Sequence, residues 1–150
     1  MDETIIKIEN AALKLKKFVI KPANLEIPKG YIVGIQGENG AGKTTLLHMM
    51  LAYLELSPRR RLCSFSTGEM IKYQFAFAAA YRPKVLLMDE PTANLDPVFR
   101  DDFLKLLQEF VAEYEMTILF ATHLDEDLSR VADYVIDVKN GEYSMREMLE

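Results

Sequence analysis

Apolar positions in the first third of the chain alternate with polar ones or fall in short runs: Ile5, Ile6 and Ile8, then Leu13 and Leu15, Phe18-Val19-Ile20, and Leu25 and Ile27. A period of two buries one face of each segment, so this region is predicted to form a set of short strands. Pro28-Lys29-Gly30 marks a turn, and Tyr31-Ile32-Val33-Gly34-Ile35 is the apolar run of a strand covered on both faces. After a glycine-rich stretch the period changes. Leu46, Leu47, Met50, Leu51 and Leu54 recur at helical spacing, predicting a helix over 44–56 that Ser57-Pro58 ends.

Arg59-Arg60-Arg61 is read as a solvated connector. Ser66 and Glu69 then form an S-x-x-E capping box before an Ala- and Phe-rich stretch, predicting a helix over 67–81 closed by Arg82-Pro83-Lys84. Val85-Leu86-Leu87-Met88 is predicted to be a buried strand. Asp96-Pro97 pairs an N-cap with a first-turn proline, and Phe99, Phe103, Leu106, Leu107, Phe110 and Tyr114 share one face of the helix that follows. Residues 117–120 form another buried strand, 125–132 a short helix and 134–136 a strand, and Asn140-Gly141 is a two-residue hairpin signal. Buried strands alternating with helices call for a mainly parallel α/β sheet flanked by helices, with an antiparallel β flank at the N-terminal side.

Composition narrows the function classes. With 150 residues, 49% apolar and 27% charged, the chain fits one ordinary domain over 1–150 with a packed core. A net charge of −5 argues against a broad nucleic-acid footprint and leaves small phosphate ligands open. The single cysteine excludes an internal disulfide, and the two histidines leave no zinc-like spacing. No apolar stretch reaches the length of a spanning helix, and Met1-Asp2-Glu3-Thr4 opens no secretory signal, so cytoplasmic residence is expected.

Chemistry concentrates at two places. Gly37-Glu38-Asn39-Gly40-Ala41-Gly42-Lys43-Thr44 matches G-x-x-x-x-G-K-[ST] between a predicted strand and a predicted helix, the setting in which backbone N–H groups and a helix N-terminus cradle phosphates. Lys43 is expected to reach the β and γ phosphates, Thr44 to bind Mg²⁺, and the nucleotide-binding set to run from Gly37 through Thr45. Asp89-Glu90 puts two acids at the carboxyl edge of the sheet. Asp89 is expected to hold the metal through water, and Glu90 to orient and deprotonate the attacking water.

These motifs together resemble the ATP-binding-cassette (ABC) ATPases, which are P-loop NTPases. The resemblance rests on the glycine loop, Ser66-Thr67-Gly68-Glu69, Leu87-Met88-Asp89-Glu90-Pro91-Thr92, Asn94-Leu95-Asp96 and Thr122-His123, in that order along the chain. It implies a head-to-tail dimer holding two ATP molecules, with Ser66 and Gly68 touching the γ-phosphate bound to the second copy. It further implies that His123 is the switch histidine at the γ-phosphate and the attacking water, and that Asp96 lies at the dimer interface. Phe18, or less attractively Leu15, would stack on adenine. A membrane-spanning transporter subunit is the implied partner, placing the chain at the inner face of the membrane through that subunit.

Two departures stand out. Phe65-Ser66-Thr67-Gly68-Glu69 replaces the family's usual L-S-G-G-Q, with Glu69 read as capping its own helix. The stretch between Lys43 and Ser66 is several-fold shorter than in transporters, so a sheet strand, the metal-sensing glutamine loop and most of the helical subdomain are expected to be missing. Neither Gln36 nor Gln74 sits where that loop glutamine belongs. The leading expectation is an ATP-hydrolysing transporter subunit. The alternative is a non-transporting nucleotide-binding or interaction module, an internally deleted relative with little or no turnover.

Overall fold

The computed structural model describes residues 3–15, 18–53 and 81–148. Strands β1 (Thr4–Leu15) and β2 (Phe18–Pro28) form one antiparallel hairpin. The short strands expected here are thus two long ones, broken by shifts of register rather than by loops. Register shifts fall between Ile8 and Ala11 and between Ala11 and Leu13, around Asn10, whose φ is 49°. The Asn10 N–H donates to Asn24 Oδ1 at 2.8 Å, which satisfies the backbone where the ladder slips.

The second sheet has the order β4-β5-β3-β6-β7, with β3 (Ile32–Gln36), β4 (Val85–Asp89), β5 (Thr117–Thr122), β6 (Tyr134–Lys139) and β7 (Glu142–Glu147). β3, β4, β5 and β6 run parallel, and β7 returns antiparallel to β6. Helix α1 (Lys43–Tyr53) follows β3, α2 (Pro97–Tyr114) precedes β5, and α3 (Asp125–Val131) joins β5 to β6. The mainly parallel sheet with an antiparallel N-terminal flank is as the sequence predicts. The helix expected over 67–81 lies outside the described residues, as does the basic connector.

Alternation along the central strands builds two cores. Val33, Ile35, Leu119, Ala121 and Ile136 pack with Leu46, Leu47 and Met50 of α1 and with Ile6, Ile8, Ile20, Leu25 and Ile27 of the hairpin. Ile32, Ile118, Phe120 and Val135 face the other way, against Phe103, Leu104 and Leu107 of α2 and Leu128 of α3. Such double burial explains the unbroken apolar runs in the sequence. β4 departs from that expectation: Met88 is buried, but Val85, Leu86 and Leu87 are half-buried. Among the described residues β4 pairs with β5 alone, so one flank of the strand is less covered.

On α2 the N-cap is as expected, Asp96 accepting from the Phe99 N–H at 3.0 Å ahead of Pro97. Its fully buried face is narrower than the predicted stripe and takes in Leu104 beside it, while Phe99, Leu106 and Phe110 of the stripe are half-buried. Phe103, Leu104 and Leu107 are buried, whereas Tyr114 is exposed and stands within 5.9 Å of the Arg82 guanidinium.

The Asn140-Gly141 turn adopts positive φ at both residues, 52° and 77°, the form that matches the twist of paired strands. It also joins the two sheets. The Lys21 N–H donates to Gly141 O at 2.7 Å, and Lys21 Nζ meets Glu142 Oε1 at 2.6 Å. A Cβ on Gly141 would lie 1.8 Å from the Val19 carbonyl oxygen. Gly141→Ala should therefore destabilise the fold by about 2 kcal/mol or more, from left-handed strain plus overpacking against backbone. Thermal or denaturant unfolding measures it, and a stability equal to wild type would contradict this account of how the sheets are joined.

Candidate nucleotide site

β3, β4 and β5 all end at one edge of the sheet, where parallel α/β folds place their ligands. The glycine loop begins there, directly after Gln36. Gly37 has no room for a side chain, because a Cβ would come within 2.5 Å of the Val138 carbonyl oxygen. Gly40 and Gly42 take φ of 83° and 111°, turning the loop back so that the Ala41 N–H meets Glu38 O at 3.0 Å and Gly42 O accepts from Leu46 N–H at 2.8 Å. The second of these contacts belongs to the start of α1, so the N-terminus of that helix faces the loop it follows.

Lys43 is buried, with 6% of its side chain exposed, and its ammonium bridges loop and acids. Nζ donates to Gly37 O at 2.7 Å and to Glu38 O at 3.2 Å, and stands 3.8 Å from Glu90 Oε1. The Thr44 hydroxyl donates to Asp89 Oδ2 at 2.7 Å, which brings the two expected metal-side groups together across 45 residues of chain. Glu90 Oε2 lies 2.9 Å from His123 Nδ1. Glu90 reaches both partners from a left-handed backbone, φ 48°, while its N–H still completes the ladder to Ala121 O at 2.7 Å. Thr45 is half-buried at the start of α1.

A cleft of about 820 Å³ opens over the loop, lined by Gln36, Gly37 to Ala41, His123, Asp125 and Asp137 to Asn140. Around it lie residues that belong to no motif in the sequence. Gln36 Nε2 donates to Asp125 Oδ1, Arg146 Nη2 donates to Gln36 Oε1 at 3.2 Å, and Arg146 Nε pairs with Asp137 Oδ2 at 2.8 Å. These four groups come from β3, α3, β6 and β7, and nothing in their local sequence marks them. Beside the site, α2 and α3 are clasped by Arg100–Glu126 and Arg130–Asp101 pairs. The Arg130 guanidinium, hydrogen-bonded to Asp101, holds that carboxyl below its usual range.

The structure thus gathers Gly37 to Thr45, Asp89, Glu90 and His123. Asp96 caps α2, beyond the turn that follows Glu90. Ser66 and Gly68 lie outside the described residues, and so do the side chains of Phe18 and Leu15, the candidates for adenine stacking. Among the described residues no helix is long and apolar enough to cross a membrane.

Residues 20–57 match the family described as ABC transporter. The chain is 33% identical over 126 residues to the energy-coupling factor transporter ATP-binding protein EcfA2 of Latilactobacillus sakei, covering 84% of this chain and 40% of that protein. The chain therefore spans well under half the length of that relative. With the ABC transporter ATP-binding protein NatA of Bacillus subtilis it is 29% identical over 210 aligned positions, 90% of this chain and 85% of the relative. That alignment is longer than the whole 150-residue chain, so the relative carries many positions with no counterpart inside this sequence. The solved structure of CbiO1 from Clostridium perfringens, part of the ABC transporter complex CbiONQ, superposes with a TM-score of 0.71 at 22% identity, covering 99% of this chain and 89% of that one. By its ordered motifs, its sequence relatives and its fold, the chain belongs to the ATP-binding proteins of the ABC transporter family.

Proposed function

We propose that this chain binds MgATP in the cleft above the glycine loop and hydrolyses it as the ATP-binding subunit of a transporter, paired head to tail with a second nucleotide-binding domain. The single observation that carries the reading is the convergence of Lys43, Thr44, Asp89, Glu90 and His123 at one sheet edge. Lys43 exchanges its loop carbonyls for phosphate oxygens and neutralises their charge. A hydroxyl beside a carboxylate is a hard-oxygen pair that suits Mg²⁺, so Thr44 and Asp89 would hold the ion. The ion supplies charge neutralisation at the phosphates. Glu90 takes the proton of the attacking water, and His123 holds the carboxylate in place. Asp96, with Ser66 and Gly68, would face the second domain. EcfA2 is by its name part of an energy-coupling factor transporter, and this likeness supports a membrane-spanning subunit as partner.

The alignment with NatA favours a second reading. The many NatA positions without a counterpart here fit a chain that keeps the nucleotide pocket and is without the segments that would couple it to a membrane subunit. Coupling needs contacts that differ between nucleotide states, and a missing docking segment offers none.

Three outcomes are expected. Titration calorimetry should show MgATP binding that Lys43→Ala weakens by about 3 kcal/mol, roughly a hundredfold in Kd; equal affinities would remove the site. Glu90→Gln should lower steady-state phosphate release by about 10² to 10⁴, with an ATP-bound dimer accumulating on size exclusion, whereas unchanged turnover would assign the base elsewhere. On the second reading, vesicles carrying a candidate membrane subunit and this chain alone should show no ATP-driven uptake, and uptake at the rate of a full-length relative would overturn that reading in favour of the first.

A further inference from the structure

Behind the Glu90–His123 pair lies a buried polar cluster. Thr92 is 1% exposed and Asp127 0%, and Thr92 Oγ1 donates to Asp127 Oδ2. The other carboxylate oxygen, Oδ1, lies 3.2 Å from Arg100 Nε but out of line, so neither atom has a hydrogen-bond partner among the described residues. Arg100 thus balances the charge of Asp127, while Thr92 supplies its directed bond. A carboxylate is kept in such a place only where it is paired, which makes this contact costly to break.

The connectivity closes a small ring. Thr92 stands two residues after Glu90, Asp127 four after His123, and Glu90 Oε2 meets His123 Nδ1. Two short lengths of chain are therefore joined at both ends by side-chain contacts. On one side the turn after β4 holds Glu90 at φ 48°, with the Leu95 N–H bonded to Thr92 O at 3.1 Å. A strained residue of this kind persists only where its surroundings over-determine it. On the other side α3 is fixed to β3, because Leu128 fills the space over Gly34, where a Cβ would come within 2.2 Å of Leu128 Cδ2. The Thr92–Asp127 bond ties the turn that carries Glu90 to the helix that Leu128 fixes on β3.

We propose that Asp127 is a positioning residue that acts through Thr92 to hold Glu90 against His123, so that the base and the residue that orients it are assembled before nucleotide arrives. Neither Asp127 nor Thr92 lines the cleft. The inference rests on Glu90 being the base and His123 holding its carboxylate, as proposed above.

The test reads the contact itself and needs no turnover. The chain has two histidines, His48 and His123, so imidazole ¹⁵N spectra of the full-length protein at one pH give two assignable sets of signals. His123 in wild type should differ from His123 in Glu90→Ala. Thr92→Val, which keeps the shape and removes the hydroxyl, should move His123 most of the way to the Glu90→Ala position, and Thr92→Ser should restore the wild-type signal. His48 on α1 should stay in place in every variant and reports an intact fold. A folded Thr92→Val protein with His123 at its wild-type position overturns the proposal, as does a wild type indistinguishable from Glu90→Ala at His123. If Thr92→Val does not fold, Asp127→Ala, which removes the oxygen that accepts from Thr92, is read the same way, displacement of His123 supporting the proposal and a wild-type signal overturning it. Failure of the hydrolysis reading appears separately, as absent phosphate release by wild type with the His123 displacement intact.

Discussion

The structure depends on β3 lying between two parallel neighbours. Every residue of Ile32–Gln36 is committed to the β5 ladder, and Val33 to Gln36 to the β6 ladder as well, so no slip of register is available without exposing a buried face. The position of Gly37 is thereby fixed. Because β4 and β5 run in the same direction, Asp89 finishes level with Ala121, two residues before His123, and Glu90 follows directly. Parallel alignment alone brings a phosphate loop, a carboxylate pair and a histidine from distant parts of the sequence to one edge.

One strained residue sits at that edge. Glu90 occupies a left-handed conformation that a residue with a Cβ avoids, and it does so while its N–H continues the β4–β5 ladder. The turn after it is braced by backbone bonds and by the buried Thr92–Asp127 contact. Lys43 adds an electrostatic brace, a buried ammonium 3.8 Å from Glu90 and hydrogen-bonded to the loop. The same few groups thus hold the shape of the site and supply its charge.

The antiparallel hairpin is attached by different means. It meets the parallel sheet through one core of aliphatic side chains and through the Lys21–Gly141 backbone bond at the β6–β7 turn. Gly141 is needed both for its positive φ and for the bare surface that Val19 approaches. A two-residue turn motif visible in the sequence therefore also serves as a docking point for a second sheet.

By itself the sequence determined the glycine loop, the acids after a strand, the cap at Asp96, the parallel α/β class and the family. Each of these is a local pattern, with residue types at fixed offsets and a hydrophobic period that reports its own burial. It also gave the Asn140-Gly141 turn, because the conformation required there is written in two residues. Tertiary structure decided the rest. The alternating residues of the N-terminal region read equally well as short strands or as one bulged hairpin, since a register shift leaves the period of two unchanged. Half-burial of β4 and the narrower buried face of α2 depend on which neighbours cover them, which no period encodes. Asp127 looks from sequence like one more acid in the first turn of a helix, favourable to the helix dipole and exposed to water. Only the packing of α3 onto Gly34 turns it inward to Thr92 and Arg100, because burial is a property of the assembled elements and not of the segment that carries the residue.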